Sequence, residues 1–307
     1  MVVNAADLRT LDRLQLLITR RLDGLLHGDY LGLLPGPGSE PGEAREYRPG
    51  DDVRHMDWPV TARTTLPHVR TTVADRELEA WLAVDLSPSL DFGTVGMLKR
   101  ELAVNAVAAF SYLAGRGGNR VGAVVTEGGP AEPTYGSAGV AVRTIPPRPG
   151  RAGSRSLLRA VTELPRGTGP GNLPELLDTT RRHTRRRGMA VVVSDFIDEG
   201  DWPRELRRLS VRQQVLCVEI VDPAELKLPD VGVLDLIDPE TGDHVEVQTG
   251  NARFRARYEA AAAEQRERIA AGIRGAGASH LRLSTGADWL RDIAAFVAER
   301  RHLAAYR

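Results

Sequence analysis

The chain is poor in cysteine, lysine and aromatic residues, and it carries no net charge. It has one cysteine, too few for an internal disulfide, so a disulfide scaffold is excluded and a reducing, cytoplasmic setting is expected. That residue, Cys217, lies in Gln214-Val215-Leu216-Cys217-Val218-Glu219-Ile220 and reads as a small buried hydrophobe on a strand. Only Lys99 and Lys227 are lysines; with so many Ala, Gly and Pro, this reads as biased composition rather than guanidinium chemistry. With 41 basic and 41 acidic residues, no global field favours nucleic acid or an anionic membrane. No apolar run approaches the ~20 residues of a membrane-spanning helix, so no span is expected. The N-terminus lacks the basic start and apolar stretch of a signal peptide. None of the seven histidines (His27, His55, His68, His183, His244, His280 and His302) shows His-x-x-x-His spacing, which argues against zinc. There is no Gly-x-Ser-x-Gly elbow, and the glycines near Pro35-Gly36-Pro37-Gly38 are not followed by Gly-Lys-Ser/Thr.

What is present is a strand–helix alternation. Leu8, Leu11, Leu14, Leu17, Ile18, Leu22, Leu25 and Leu26 have helical spacing over residues 6–27. A breaker-rich loop spans Pro35 to Gly42, and a segment dense in charge and turn residues runs from Glu43 to Thr65. The patterning predicts strands at Val69–Val73, Leu82–Leu86, Val121–Thr126, Ala190–Ser194, Gln214–Val221 and His280–Ser284, with a short edge strand near 131–135. It predicts helices at Lys99–Gly115, Arg155–Leu164, Leu173–Arg186, Arg253–Gly275 and Ala287–Arg300. Pro239-Glu240-Thr241-Gly242 between two alternating runs signals a hairpin. The expected fold is therefore α/β and Rossmann-like, with a mostly parallel central sheet flanked by helices. Residues 1–75 form an N-terminal helix, loop and strand extension, and 76–307 form the α/β domain.

The first core strand ends in Asp85-Leu86-Ser87-Pro88-Ser89. Alternate residues of an extended segment point the same way, so one carboxylate and two hydroxyls converge. Such hard oxygen ligands suit Mg²⁺, Mn²⁺ or Ca²⁺. A second apolar strand ends in Ser194-Asp195, and ligand sites of open α/β sheets lie at the carboxyl ends of strands. Asp85, Ser87, Ser89 and Asp195 are thus the candidate metal ligands; the bland alternative is that they cap the following helices. Asp51, Asp52 and Asp57 read as structural: Pro49-Gly50 makes a turn, the acids pair with Arg48, Arg54 and Arg63, and Trp58 anchors the segment on the sheet. Arg181-Arg182-His183-Thr184-Arg185-Arg186-Arg187 reads as a solvated helix end, where cations are favourable, and lacks aromatics for base stacking.

Asp85-x-Ser87-x-Ser89, Val121-Gly122-Ala123-Val124-Val125 and Ser194-Asp195 together resemble the von Willebrand factor A fold. There, a D-x-S-x-S loop, a threonine and a third-loop aspartate hold a divalent cation in a metal-ion-dependent adhesion site. Glu46-Tyr47-Arg48-Pro49-Gly50-Asp51-Asp52-Val53-Arg54-His55-Met56-Asp57-Trp58 resembles the signature of the DUF58 family, as do Ala62-Arg63, Asp91-Phe92-Gly93, Ser194-Asp195-Phe196 and Asp238-Pro239-Glu240-Thr241-Gly242. The likeness spans about residues 6–300. It implies a von Willebrand A-like domain working beside a MoxR-type AAA+ ATPase, with Tyr47, Pro49, Gly50, Asp51, Asp52, Arg54, Asp57 and Trp58 as an interaction or structural motif. Two departures stand out. The family's Gly-Gly-Thr-Asn/Asp-Leu loop corresponds to Gly169-Pro170-Gly171-Asn172-Leu173, so glycine replaces the threonine and Thr168 is displaced by three residues. Pro88 stiffens the first loop.

The expected function is a non-enzymatic adaptor using the carboxyl edge of its sheet, with Mg²⁺ as the candidate cofactor and no nucleic-acid partner. The alternatives are a metal-dependent hydrolase, marked by turnover that Asp195→Asn abolishes, and a nucleic-acid accessory protein resting on Arg181–Arg187.

Overall fold

The computed structural model describes residues 16–22, 25, 40–49, 51, 53, 56–73, 79–116, 119–126, 142–164, 170–237 and 242–305. Leu8, Leu11, Leu14, Leu26, Gly50, Asp52, Arg54, Thr168, the expected strand near 131–135 and the hairpin tip at Asp238–Thr241 lie outside them. Residues 16–22 are helical (α1), and Ile18 and Leu22, one turn apart, are fully buried in the main core. Arg21 binds Asp288 at 2.8 Å.

The charge-dense segment departs from its expected loop. β1 (Glu40–Glu46) pairs antiparallel with β2 (His68–Val73), and α2 (Trp58–Thr64) lies between them. Backbone pairing makes this strand, not an apolar pattern, so hydrophobic periodicity could not show it. Asp51 closes the Arg48–Asp51 turn by accepting from the Arg48 N–H at 2.8 Å. Its guanidinium partner is Arg45, a bidentate pair at 2.7 and 2.8 Å, and not the expected Arg48 side chain. Arg45 holds the Asp51 carboxyl down at about 2. Asp57 caps α2, accepting from Val60 N–H at 3.2 Å, while its own N–H bonds His68 O at 2.8 Å. Tyr47 N–H bonds Pro67 O at 2.8 Å. Trp58 corrects a second expectation: it is 66% exposed and anchors nothing on the sheet, because the first turn of α2 turns it outward.

The rest of the chain alternates. β3 (Glu79–Asp85) is followed by α3 (Lys99–Arg116), β4 (Arg120–Thr126), β5 (Val142–Pro149), α4 (Gly150–Thr162), α5 (Leu173–His183) and β6 (Gly188–Ser194). Then come α6 (Trp202–Ser210), β7 (Gln213–Val221), α7 (Pro223–Leu226), β8 (Val233–Ile237), β9 (His244–Gln248), α8 (Ala252–Gly275), β10 (Ser279–Ser284) and α9 (Trp289–Ala305). One sheet has the order β10-β7-β6-β3-β4-β5. All its neighbours are parallel except β5, which runs antiparallel to β4. β8 and β9 form the expected separate hairpin.

β3, β4 and β6 are buried from their second residue onward, as strands covered on both faces must be. Leu82, Val84, Val191, Val193 and Val218 face α3, α4, α9 and α1. Trp81, Ala83, Val192 and Cys217 face α5, α6 and α8. Cys217 is fully buried, and burial pushes its thiol up. Three elements escape sequence reading, the one-turn α7 among them. β5 carries Pro146, Pro147 and Pro149, tolerable because it is an edge strand. Gly122 of β4 lets it approach, since a Cβ there would lie 3.1 Å from Ile145 O. α6 is a short amphipathic helix held by Trp202, Leu206 and Leu209. The arginine run leaves the helix earlier than expected: α5 ends at His183, with Arg181 and Arg182 paired to its own Asp178 and Glu175. No described helix is long and apolar enough to cross a membrane.

From β3 the chain winds one way to β4; from β6 it winds the other way to β7. The switch point between β3 and β6 is where doubly wound sheets open a crevice beyond their carboxyl ends.

Candidate functional site

The two strands at the switch point end in Asp85 and in Ser194-Asp195. Asp85 accepts from the Ser87 N–H at 3.0 Å through Oδ1 and from the Ser194 hydroxyl at 2.9 Å through Oδ2. Ser87 begins a 3₁₀ turn, Pro88–Leu90, whose first position is proline, a place that needs no N–H. The turn brings Ser87 Oγ and Ser89 Oγ to 3.1 Å. The structure thus gathers Asp85, Ser87, Ser89 and Asp195 at one edge, as the spacing suggests. Asp85, Ser87 and Asp195 are buried, at 5%, 2% and 1% exposure.

Phe196 takes the left-handed conformation at φ 58°, which costs a side-chain-bearing residue about 1–2 kcal/mol. Its ring, tilted at 60° against Trp202 with centroids 5.3 Å apart, and its N–H bond to Ser194 Oγ at 2.9 Å hold it there. The turn aims Asp195 at a residue that sequence reading set aside. Lys99, at the start of α3 and 1% exposed, donates from Nζ to Asp195 Oδ2 at 2.8 Å and to Glu225 Oε1 at 2.5 Å. Burial alone pushes the Lys99 ammonium down, but the two carboxylates outweigh it and raise its pKa. The only signal in the sequence was that one of two lysines stands just after the D-x-S-x-S loop.

Behind Lys99 lies a relay of charges. Glu225 also accepts from the Asp222 N–H at 3.0 Å in a capping box of α7, and Arg266 of α8 reaches it at 3.8 Å. Arg266 bonds Asp195 O at 3.3 Å and Glu219 Oε1 at 3.1 Å. Glu219, fully buried, also binds His280 at 2.7 Å and Arg282 at 2.8 Å. Burial pushes its carboxyl up, and the bonds from His280, Arg282 and Arg266 more than offset that. Asp222 accepts from Thr94 and Thr285 hydroxyls at 2.5 and 2.6 Å, pinning the loop before α3.

Asp85 is the exception. No Lys, Arg or His among the described residues lies within ion-pairing distance of it. Burial, and then the neighbouring Asp195 charge, raise its carboxyl to about 6.

A hard divalent cation takes about six or more oxygen ligands. Asp85, Ser87 and Ser89 supply suitable oxygens. Two observations stand against a full site. Asp195 already carries Lys99 on one oxygen and accepts the Ile197 N–H at 3.1 Å on the other. The threonine's place is Gly171, where a Cβ would lie 2.9 Å from Ser87 Cβ and 3.7 Å from Asp85 Oδ1. Glycine stands in the threonine's place, so the expected ligand set is incomplete, and Asp85, Ser87 and Ser89 are the oxygens left on the cleft wall.

This edge opens into a cleft of about 1380 Å³. Asp85, Ser87, Ser89 and Lys99 line one side; Leu234 and Leu236 of β8 and Val245 of β9 line another.

The family described as "Protein of unknown function DUF58" matches residues 43–268. Uncharacterized protein Rv1480 of Mycobacterium tuberculosis is 50% identical over 299 residues, covering 97% of this chain and 90% of that protein. Uncharacterized protein Mb1516 of Mycobacterium bovis matches to the same extent. Among solved structures, the conserved hypothetical protein BatB from Bacteroides thetaiotaomicron is similar at TM-score 0.45 and 16% identity, over 73% of this chain and 99% of that one.

Proposed function

The chain belongs to the DUF58 family, and from that premise we propose a non-enzymatic interaction module with a von Willebrand A-like domain that captures a protein partner at the carboxyl edge of its sheet. The observation that carries this reading is the gathering of Asp85, Ser87 and Ser89 at the switch point, beside an open cleft roomy enough for a segment of polypeptide. The partner we assign, on the family resemblance, is a MoxR-type AAA+ ATPase. We place this work in the cytoplasm, which suits a single free thiol. No histidine lines the cleft among the described residues, and Lys99 is held by two carboxylates, so a nucleophile and its base are not paired there. A second reading keeps a divalent cation on Asp85, Ser87 and Ser89, favoured by the convergence of those oxygens.

The test is capture of a MoxR-type AAA+ ATPase from the same genome by the purified full chain, in EDTA and in excess Mg²⁺. Asp85→Ala should reduce capture about tenfold or more, the scale of one lost charge-assisted contact. Unchanged capture by a variant that still melts cooperatively sinks the proposal. Capture only in Mg²⁺ selects the cation reading.

A further inference from the structure

The cleft has a charge opposite to what a metal-bridged acidic ligand needs. Its lining includes the carboxylates of Asp85, Asp198, Glu199, Glu225 and Asp243 against two cations, Lys99 and Arg268. Lys99 is spent on Asp195 and Glu225. Arg268 is paired at 3.1 Å with Glu264 on its own helix. Asp85, Asp198 and Glu199 have no cation within ion-pairing distance among the described residues. Asp198 accepts two backbone N–H groups, from Leu173 and Gly200, at 2.8 and 2.7 Å, and so stays fixed at the mouth. Asp85 sits deeper, with its charge disfavoured by burial and by Asp195. Around these carboxylates the walls are apolar: Phe196, Ile197, Trp202, Leu234, Leu236 and Val245. Ile197 and Val245 are 37% and 55% exposed.

We propose that the cleft takes an extended apolar segment of a protein partner, and that a lysine or arginine on this segment delivers its cation to Asp85. The inference rests on the reading of this edge as a partner surface. A cation supplied by the ligand answers what the fold leaves open: the oxygens of Asp85, Ser87 and Ser89 accept hydrogen bonds from an ammonium or guanidinium without a threonine ligand and without displacing Lys99. An arginine would gain most, since its planar fork can bond a carboxylate twice. An acidic segment would meet uncompensated carboxylates at the mouth and again at the base.

The experiment uses three fluorescein-labelled peptides that share a short leucine- and valine-rich sequence and differ at one central residue: arginine, norleucine or glutamate. Polarisation with the full chain is read at neutral pH in EDTA and in excess Mg²⁺. The arginine peptide should bind about tenfold more tightly than the norleucine peptide in EDTA, the scale of a charge-assisted contact. Asp85→Asn should erase that preference and leave norleucine binding in place. Glu199→Lys, an exposed change that does not threaten folding, should weaken the arginine peptide alone. Equal binding of all three, no binding of any, or a Mg²⁺-dependent preference for glutamate overturns the inference. So does self-association of the chain, seen by sedimentation, that the arginine peptide fails to disperse. If the peptides show no basic preference while ATPase capture still depends on Asp85, only this inference falls.

Discussion

Asp85 is held in the fold at a cost that pH can reveal. Its folded carboxyl is raised from an ordinary 3.8 to about 6, so the native state binds that proton more tightly than the unfolded chain does. Its contribution to stability is therefore fully present below about pH 4 and lost as pH rises through 6, amounting to roughly 3 kcal/mol. Asp85→Asn removes the charge and keeps the bond from the Ser87 N–H, while at Ser194 the amide NH2 donates to the hydroxyl that the carboxylate accepted from. We expect the variant to be more stable than wild type above pH 6 and to converge with it near pH 4, measured as the difference between their urea midpoints across that range. A difference that does not vary with pH contradicts the raised carboxyl. The residue was legible as a site candidate because a polar group ended an apolar run. Its isolation was not, because that depends on where Lys99 goes. Lys99 binds Asp195 and Glu225 across 96 and 126 residues of sequence, separations that no local pattern reports.

Elements were legible wherever burial is two-sided. β3, β4, β6 and β7 read directly as apolar runs, and α3 and α8 by length and composition. β1 and β5 did not read, since their strand character comes from a partner's backbone and their sequences carry proline and charge. The loop into α5 was legible in a different way. Gly169-Pro170-Gly171-Asn172-Leu173 was matched to a threonine-bearing loop, and the structure shows what the glycine does. Asn172 caps α5 by accepting the Glu175 N–H at 2.9 Å, which fixes the loop, and Gly171 then rests on Ser87. Gly171→Thr therefore cannot simply restore a ligand. Its Cβ would press on a turn already stiffened by Pro88, and overpacking of this kind costs about 1–3 kcal/mol. Thermal melts should show Gly171→Thr less stable than wild type, with no added stabilisation by Mg²⁺. A rise in melting temperature with Mg²⁺ in the variant alone would show instead that the loop yields and a cation site forms.

Across the whole molecule, the sheet supplies stability and the hairpin β8–β9 supplies shape. No described hairpin residue belongs to either core cluster. Its strands alternate between exposed Val233 and Ile237 and half-buried Leu234 and Leu236, the latter two on the cleft wall. An isolated two-stranded hairpin is marginal in water, so its position is set from its base. There Thr249, fully buried, donates from Oγ1 to Gly232 O at 2.7 Å and accepts the Val231 N–H at 3.1 Å. Arg255 adds a bond to Thr249 O and a pair with Asp230 at 2.9 Å. This clasp closes the chain below the strands, so replacing residues 233–248 with a short Gly-Ser linker should leave the core intact. We expect a stability change under ~1 kcal/mol, or roughly 2–4 °C in melting temperature. Binding of both the arginine and norleucine peptides should fall together, because the lost contact is the apolar wall they share, whereas Asp85→Asn should affect only the first. If the hairpin-less chain loses its single cooperative transition, the hairpin is part of the folding unit. If it melts normally and still binds both peptides, the cleft's apolar contacts come from walls outside the hairpin, Phe196, Ile197 and Trp202 among them.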